Sequence, residues 1–273
     1  MKRTLALATL LAATWAAVAA ADGGGPSPGE SFGWDGVVGP KRVVRYVTVP
    51  ARKGVLVEAI AVRGGRVLRW RFFTGSFGIP MVAYDGSAGG LSRDGRRLVL
   101  VSHQSAAMTR FLVLDPKTFK PRTALRLPGQ WAFDALSPGG SLMYLIQYLG
   151  GPDASGNQRY AVRVLNVNTH HLYPGALVDV REPGEKMTGT AQTRAESRDG
   201  AWAYTLYSRP GRKAFVHALD TVHRRAFCVD LPWRNPADWI SLARLRVRGG
   251  EVVVLRRGKP VARIDRKTFE VRR

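Results

Sequence analysis

The sequence predicts an all-β chain built from one repeated strand-and-turn unit, and three observations predict it. Short runs of Val, Leu, Ile and aromatic residues alternate with turns rich in Gly, Asp, Ser and Pro from Lys41 onward. The turn Ser92-Arg93-Asp94-Gly95 recurs as Ser137-Pro138-Gly139-Gly140 and Ser197-Arg198-Asp199-Gly200, with starts 45 and 60 residues apart. A later marker, FLVLDPKTFK, recurs as VRVLNVNTHH, VHALDTVHRR and VARIDRKTFE. It places Asp115, Asn166, Asp220 and Asp265 in equivalent positions, 51, 54 and 45 residues apart. Asp, Asn and Ser side chains bond the local backbone of a tight turn, and Gly accepts φ > 0, so both markers are turns with a mechanism.

The chain has 273 residues, and at 45% hydrophobic with 23% charged it is too apolar to stay disordered. Lys2-Arg3, the apolar stretch from Leu5 and the ending Ala-Val-Ala-Ala-Ala read as a signal peptide over residues 1–21, cleaved after Ala19 or Ala21. The expected address is secreted, periplasmic or extracellular, with no transmembrane segment in the mature chain. Residues 22–40 are Gly/Pro/Ser-rich, with Phe32 and Trp34 as apolar anchors, and read as a flexible leader. The folded domain is expected over 41–273. The one cysteine, Cys228, cannot form an internal disulfide and reads as a small buried hydrophobe on a strand.

Taken in order, Val43 to Val49 reads as the first strand. Val55 to Val62, the Gly64-Gly65 turn and Arg66 to Phe72 follow, with no assignment of faces in the last. Thr74 to Gly90 reads as a long loop with a short apolar segment, Ile79 to Tyr84. The unit Gly90–Pro128 is the most regular: strand Leu98–Val101, strand Phe111–Leu114 and strand Thr123–Leu127. Its copies bring LMYLIQ and Trp202 to Tyr207 as second strands, and YPGALVDV and AFCVDLP as outer segments. The last module leaves little for an outermost strand.

This S-x-D-G … V-x-V-x-D-x-x-T grammar resembles the blades of the YVTN/WD40-like β-propeller repeat family of secreted bacterial proteins. The WD dipeptide and Gly-His signature of true WD40 repeats are absent. The resemblance covers Val55 to Arg273. It implies a β-propeller of about five four-stranded blades. The strand Val43–Val49 is expected to pair with the C-terminal module and close the ring, which removes two exposed sheet edges.

In such propellers the S-x-D-G turn joins the innermost strand to the second strand. The opposite face then carries the variable loops Ser102–Arg110, Leu149–Tyr160, Arg181–Arg194 and Ser208–Lys213. A ligand-binding rim is expected there from His103, Gln104, Arg110, Trp131, Asp153, Asn157, Arg159, Arg194, Arg209, Arg212 and Lys213. Trp131, Phe133, Trp202, Tyr204, Trp233 and Trp239 read as packing between blades. The Asp153–Asn157 loop offers too few oxygens for Ca²⁺. No G-x-S-x-G elbow, phosphate loop or zinc spacing occurs, so no catalytic residue, metal or cofactor is expected.

There are 42 Lys and Arg against 20 Asp and Glu; nine are Lys and 33 are Arg. That balance favours anionic partners. The expectation is a secreted, monomeric, non-catalytic propeller binding a protein or an anionic polymer at the cell envelope, with nucleic acid reachable through charge only. The alternative is a propeller-type hydrolase or lactonase acting in the central channel.

Overall fold

The protein is seen in a computed structural model that describes residues 29–31, 33, 35–105, 107–234 and 237–273. The expected signal peptide, Phe32 and Trp34 lie outside them. The chain folds as antiparallel sheets that follow one another in sequence. β1 (Glu30–Ser31) precedes the first sheet, which is β2 (Val37–Val38), β3 (Val44–Ala51), β4 (Gly54–Ala61) and β5 (Val67–Thr74) in spatial order. β6 (Ile79–Pro80) pairs with β1. The second sheet is β7 (Leu98–Ser105), β8 (Met108–Leu114) and β9 (Pro121–Pro128). The third is β10 (Trp131–Leu136), β11 (Leu142–Tyr148) and β12 (Tyr160–Asn166). The fourth is β13 (Thr190–Glu196), β14 (Trp202–Ser208), β15 (Lys213–Asp220) and β16 (Arg225–Arg234). After a short helix α1 (Ala237–Ile240), the fifth is β17 (Ala243–Arg248), β18 (Glu251–Arg256), β19 (Lys259–Asp265) and β20 (Val271–Arg272).

The two sequence markers form the turns their chemistry demands. Asp115, Asn166, Asp220 and Asp265 each accept backbone N–H bonds from the residues two and three positions on. The residue four positions on is left-handed every time: Phe119, His170, Arg224 and Phe269 have φ of 54°, 58°, 56° and 59°. In the S-x-D-G turns Gly95, Gly140 and Gly200 sit at φ of 67°, 70° and 74°, where a side chain would be strained.

Four buried clusters join consecutive sheets face to face. Tyr46 and Val57 meet Leu98 and Leu112; Val99 and Phe111 meet Phe133 and Leu145. Tyr144 and Val162 meet Tyr207 and Phe215; Leu206 and Val216 meet Leu245 and Val252. Each such side chain removed from water contributes about 1.5–3 kcal/mol before entropy is charged against it. Trp131 and Phe133 pack in the second cluster, and Trp202, Tyr204, Trp233 and Trp239 pack in or against the last. This is the inter-sheet role expected of the aromatics. Sequential antiparallel meanders stacked by their faces make a β-propeller.

Several expectations give way. The first strand does not pair with the C-terminal module: β3 lies between β2 and β4, and β20 pairs with β19. Val37 and Val38, placed in the leader, supply the strand that β3 needs. Order therefore begins before Lys41, with Glu30–Ser31 also held as a strand. Two sheets have three strands rather than four. The second is completed by Gly78 and Leu91, bridged to Val101 and Leu98; the third by Leu172 and Leu177, bridged to Leu165 and Val162. Pro174 and Gly175 interrupt the latter segment, since proline brings no N–H to a ladder. β7 and β8 extend to Ser105 and from Met108, so His103 and Arg110 stand on strands, not in a loop. Arg194 likewise stands on β13.

The expected loop Thr74–Gly90 holds the largest departure. Between Pro80 and Gly89 the chain leaves the second sheet as a small hairpin, with Met81 bridged to Ala88. Its tip crosses to the fourth sheet, where Tyr84 and Asp85 N–H groups donate to the carbonyls of Ala191 and Gln192 at 3.1 Å. Thr193 donates its hydroxyl to Asp85 at 2.6 Å, and Arg244 of the fifth sheet approaches the same carboxylate at 3.7 Å. The hairpin thus spans the middle of the molecule. Among the described residues no helix is long and apolar enough to cross a membrane.

Candidate functional site

Of the four loops expected to share a face, Leu149–Tyr160, Arg181–Arg194 and Ser208–Lys213 touch one another. Gly189 N–H donates to Gln158, and Asn157 reaches the Pro210 carbonyl. Most of the residues assigned to the rim are occupied there by internal contacts. His103 holds Glu30 through its backbone N–H and Nδ1, at 3.0 and 2.9 Å, and its Nε2 lies 2.7 Å from the Trp131 carbonyl. Burial alone would lower the imidazole's pKa; the bond and charge of Glu30 reverse that and hold it above its ordinary value. Trp131 is buried and donates its indole N–H to Pro128. Arg209 lies between Asp230 at 2.8 Å and Glu185 at 3.8 Å, over the Phe215 ring at 4.4 Å. Asp153 caps its own loop by accepting from the N–H groups of Ser155 and Asn157 at 2.9 Å. Arg159 donates to the Gly151 carbonyl, and Arg110 stands opposite Arg126 on β8 and β9. The side chain of Gln104 is outside what the structure describes. Arg212 and Lys213 are exposed.

Arg194 is the most deeply placed of the set. Its guanidinium is 3% exposed and pairs with Asp134 of the third sheet at 2.5 Å, with Thr205 at 3.2 Å. The register of β10 shifts between Phe133 and Ala135, so Asp134 is the extra residue of a bulge, which aims its carboxylate into the seam. Arg194, Thr205, His217 and Cys228 stand opposite one another across the four strands of the fourth sheet. Burial pushes the His217 imidazole down and the Cys228 thiol up, so the pair stays neutral and the thiol unreactive.

The hairpin divides the middle of the protein into two cavities. On the loop side, a small cavity of about 20 Å³ is lined by Met81, Val82, Asp134, Tyr148, Tyr160 and Tyr207. On the side of the S-x-D-G turns, an open funnel of about 110 Å³ is lined by Val37, Val38, Ala88, Arg93, Phe133 and Glu196 among others. Here the turns touch one another. Asp94 N–H donates to the Pro138 carbonyl at 3.2 Å, and Arg97 bonds the Gly140 carbonyl and the Asn168 side chain. A Cβ on Gly200 would meet Arg93 at 2.9 Å, so turns of the second and fourth sheets face each other across the funnel.

Two acids of this end are bound within its turns, while Glu196 lines the funnel and approaches Arg194 at 3.5 Å. Asp94 and Asp199 accept from Ser92 and Ser197, at 2.6 and 2.5 Å, and from the N–H groups of Arg96 and Ala201. The Ser197 bond leads the contacts that hold Asp199 below the usual carboxylate range. The basic side chains point outward. Lys41, Arg42, Arg93, Arg96, Arg198 and Arg248 are exposed. Among the described residues only Arg96 of these six has an ion partner, Asp94 at 3.9 Å. No sequence signal separated these arginines from the anchored ones, because whether an arginine is free depends on the carboxylates the fold brings to it.

The sheets and their stacking define a β-propeller, and solved structures share this fold. A protein of unknown function from Desulfotomaculum acetoxidans superposes with a TM-score of 0.51 at 13% identity, over 87% of this chain and 67% of that one. The puromycin hydrolase S511A mutant complexed with PGG gives 0.50 at 16% identity, over 90% of this chain and 38% of that one. The β-propeller domain of Myceliophteria thermophila Cps50 (Swd1) gives 0.46 at 12% identity, over 85% and 63%. The chain thus spans between 38% and 67% of the length of these proteins. No family model matches the chain, and no curated protein matches it.

Proposed function

We propose that the protein is a secreted, monomeric, non-catalytic β-propeller that binds an anionic polymer at the cell envelope through its S-x-D-G end. One observation carries the reading: Arg93 lines the funnel and Arg96, Arg198 and Arg248 stand exposed on the turns of that end, while Asp94 and Asp199 are bound within their own turns. Clustered guanidinium groups at a concave mouth attract and hold polyanions, and displaced counterions supply much of the free energy. The basic n-region and apolar stretch before Ala21 support export.

Five sheets support a five-bladed ring. Val47 and Ile60 on the first sheet, and Val253 and Leu255 on the fifth, are buried on faces that the four clusters leave unused. This supports closure by packing of the fifth sheet on the first rather than by strand pairing. The alternative, a hydrolase or lactonase working in the channel, has to accommodate the Met81–Ala88 hairpin across its middle.

The test is heparin affinity chromatography of R93A/R96A/R198A. We expect elution at clearly lower salt and a log–log salt dependence shallower by about two to three, with the urea midpoint unchanged. Elution at the wild-type salt concentration would sink the reading.

A further inference from the structure

A second surface stands apart from the funnel, at the outer corner of the first sheet. Five large apolar side chains are exposed there: Val43 at 62%, Val67 at 45%, Leu68 at 39%, Trp70 at 63% and Phe72 at 42%. A bulge arranges them. The register of β4 with β5 shifts between Ala59 and Ile60, so Val67 opposes Ile60 while Trp70 opposes Glu58 and Phe72 opposes Leu56. The shift brings Val67, Trp70 and Phe72 to one face, which a regular strand would not do. Val43 joins them, for its carbonyl accepts the Val62 N–H at 3.0 Å, beside the turn that leads into Val67. That face is turned away from the second sheet, against which Val57, Ala59 and Phe73 pack; its inner part, Val47 and Ile60, is buried, and the exposed side chains lie on the outer strand β5 and beside it at Val43.

The surroundings are basic. Arg63 and Arg66 flank the turn that leads into Val67, and both are exposed. Neither has an ion pair among the described residues, and Glu58 is the carboxylate opposite Trp70. A soluble polyanion would engage the arginines and leave Trp70, Phe72 and Val43 in water. A bilayer surface rich in anionic lipid engages both. Its headgroups attract the cations, and the interfacial zone takes up a tryptophan and short apolar side chains.

We propose that this corner of the first sheet docks on an anionic lipid bilayer, with Val43, Val67, Leu68, Trp70 and Phe72 entering the interface and Arg63 and Arg66 on the headgroups. It does not depend on the funnel arginines. The probe is sedimentation with sucrose-loaded vesicles of phosphatidylcholine alone or with 30% phosphatidylglycerol, a composition chosen at about the anionic content that gives a strong surface potential. Binding is expected to the mixed vesicles only, with a blue shift of tryptophan emission that W70F abolishes. W70A/F72A is expected to weaken vesicle binding by about tenfold or more, as loss of two interfacial aromatics implies. R63A/R66A should weaken it by roughly fivefold per arginine. Both variants change exposed side chains and keep the wild-type urea midpoint. Vesicle binding unaffected by W70A/F72A would overturn the proposal in favour of charge alone. Heparin retention without any vesicle binding would overturn it as well, and would leave the funnel reading standing.

Discussion

At the loop end of the sheets, Arg209 is wedged between Glu185 and Asp230, and in the seam beneath, Arg194 pairs with Asp134. At the turn end, Arg93 and Arg198 meet solvent. The same residue type serves as mortar in some places and as a field source in others. The difference lies in where the carboxylates point. At the loop end they reach across between strands and loops; in the S-x-D-G turns Asp94 and Asp199 bend back onto their own turns, whereas Asp115, Asp220 and Asp265 of the neighbouring turns hold Arg122, Arg225 and Arg272. A net charge of +22 is therefore a poor guide to where a ligand binds until each guanidinium has been matched with its acid.

The sharpest way to break this contrast is R194M. An arginine 3% exposed that loses its place leaves Asp134 charged and buried. We expect a loss of about 3–5 kcal/mol in urea unfolding. D134L/R194M should recover part of it, since an apolar pair leaves no orphan charge. A loss below about 1 kcal/mol would mean that Arg194 is not structural. Next is R209A, which gives up a half-exposed pair and the Phe215 face, for about 1 kcal/mol. Its heparin elution should stay near wild type, in contrast to the turn-end triple variant.

The smallest effect concerns pH. Glu30 holds the His103 imidazole above its ordinary value of about 6.5. A raised folded pKa means stability that is fully present below the unfolded value and is lost as pH rises through the folded one. H103Q should therefore cost most below about pH 6.5, of order 1 kcal/mol, and progressively less above it. His217 has the opposite sign, because burial lowers its pKa. A difference between H103Q and wild type that grows with rising pH would contradict the Glu30 contact.

What the sequence made legible follows from range. Asp115, Asn166, Asp220 and Asp265 bond backbone two or three residues away, so the turns and the sheet repeat could be read locally. Trp202, expected as a packing aromatic, stacks on Tyr204 with ring centres 6.0 Å apart. The Asp134 bulge could not be read, because its reason is an arginine 60 residues on. Nor could the pairing of Glu30–Ser31 with β6, since a two-residue strand has no periodicity to detect. Nor could the partners of His103 and Arg209 be read, because loop length says nothing of contacts from distant parts of the chain.

The Met81–Ala88 hairpin also governs the order in which the protein can be assembled. Asp85 meets Thr193 across 108 residues of chain, far beyond the reach of any one sheet. During synthesis the first two sheets can form while this tip still has nothing to hold. Only when β13 has emerged, and β17 after it, does the hairpin find its carbonyls and its hydroxyl. Long-range closure of this kind is slow to form and late to contribute. The hairpin is thus a latch set last, so weakening it with D85A should speed unfolding more than it slows folding.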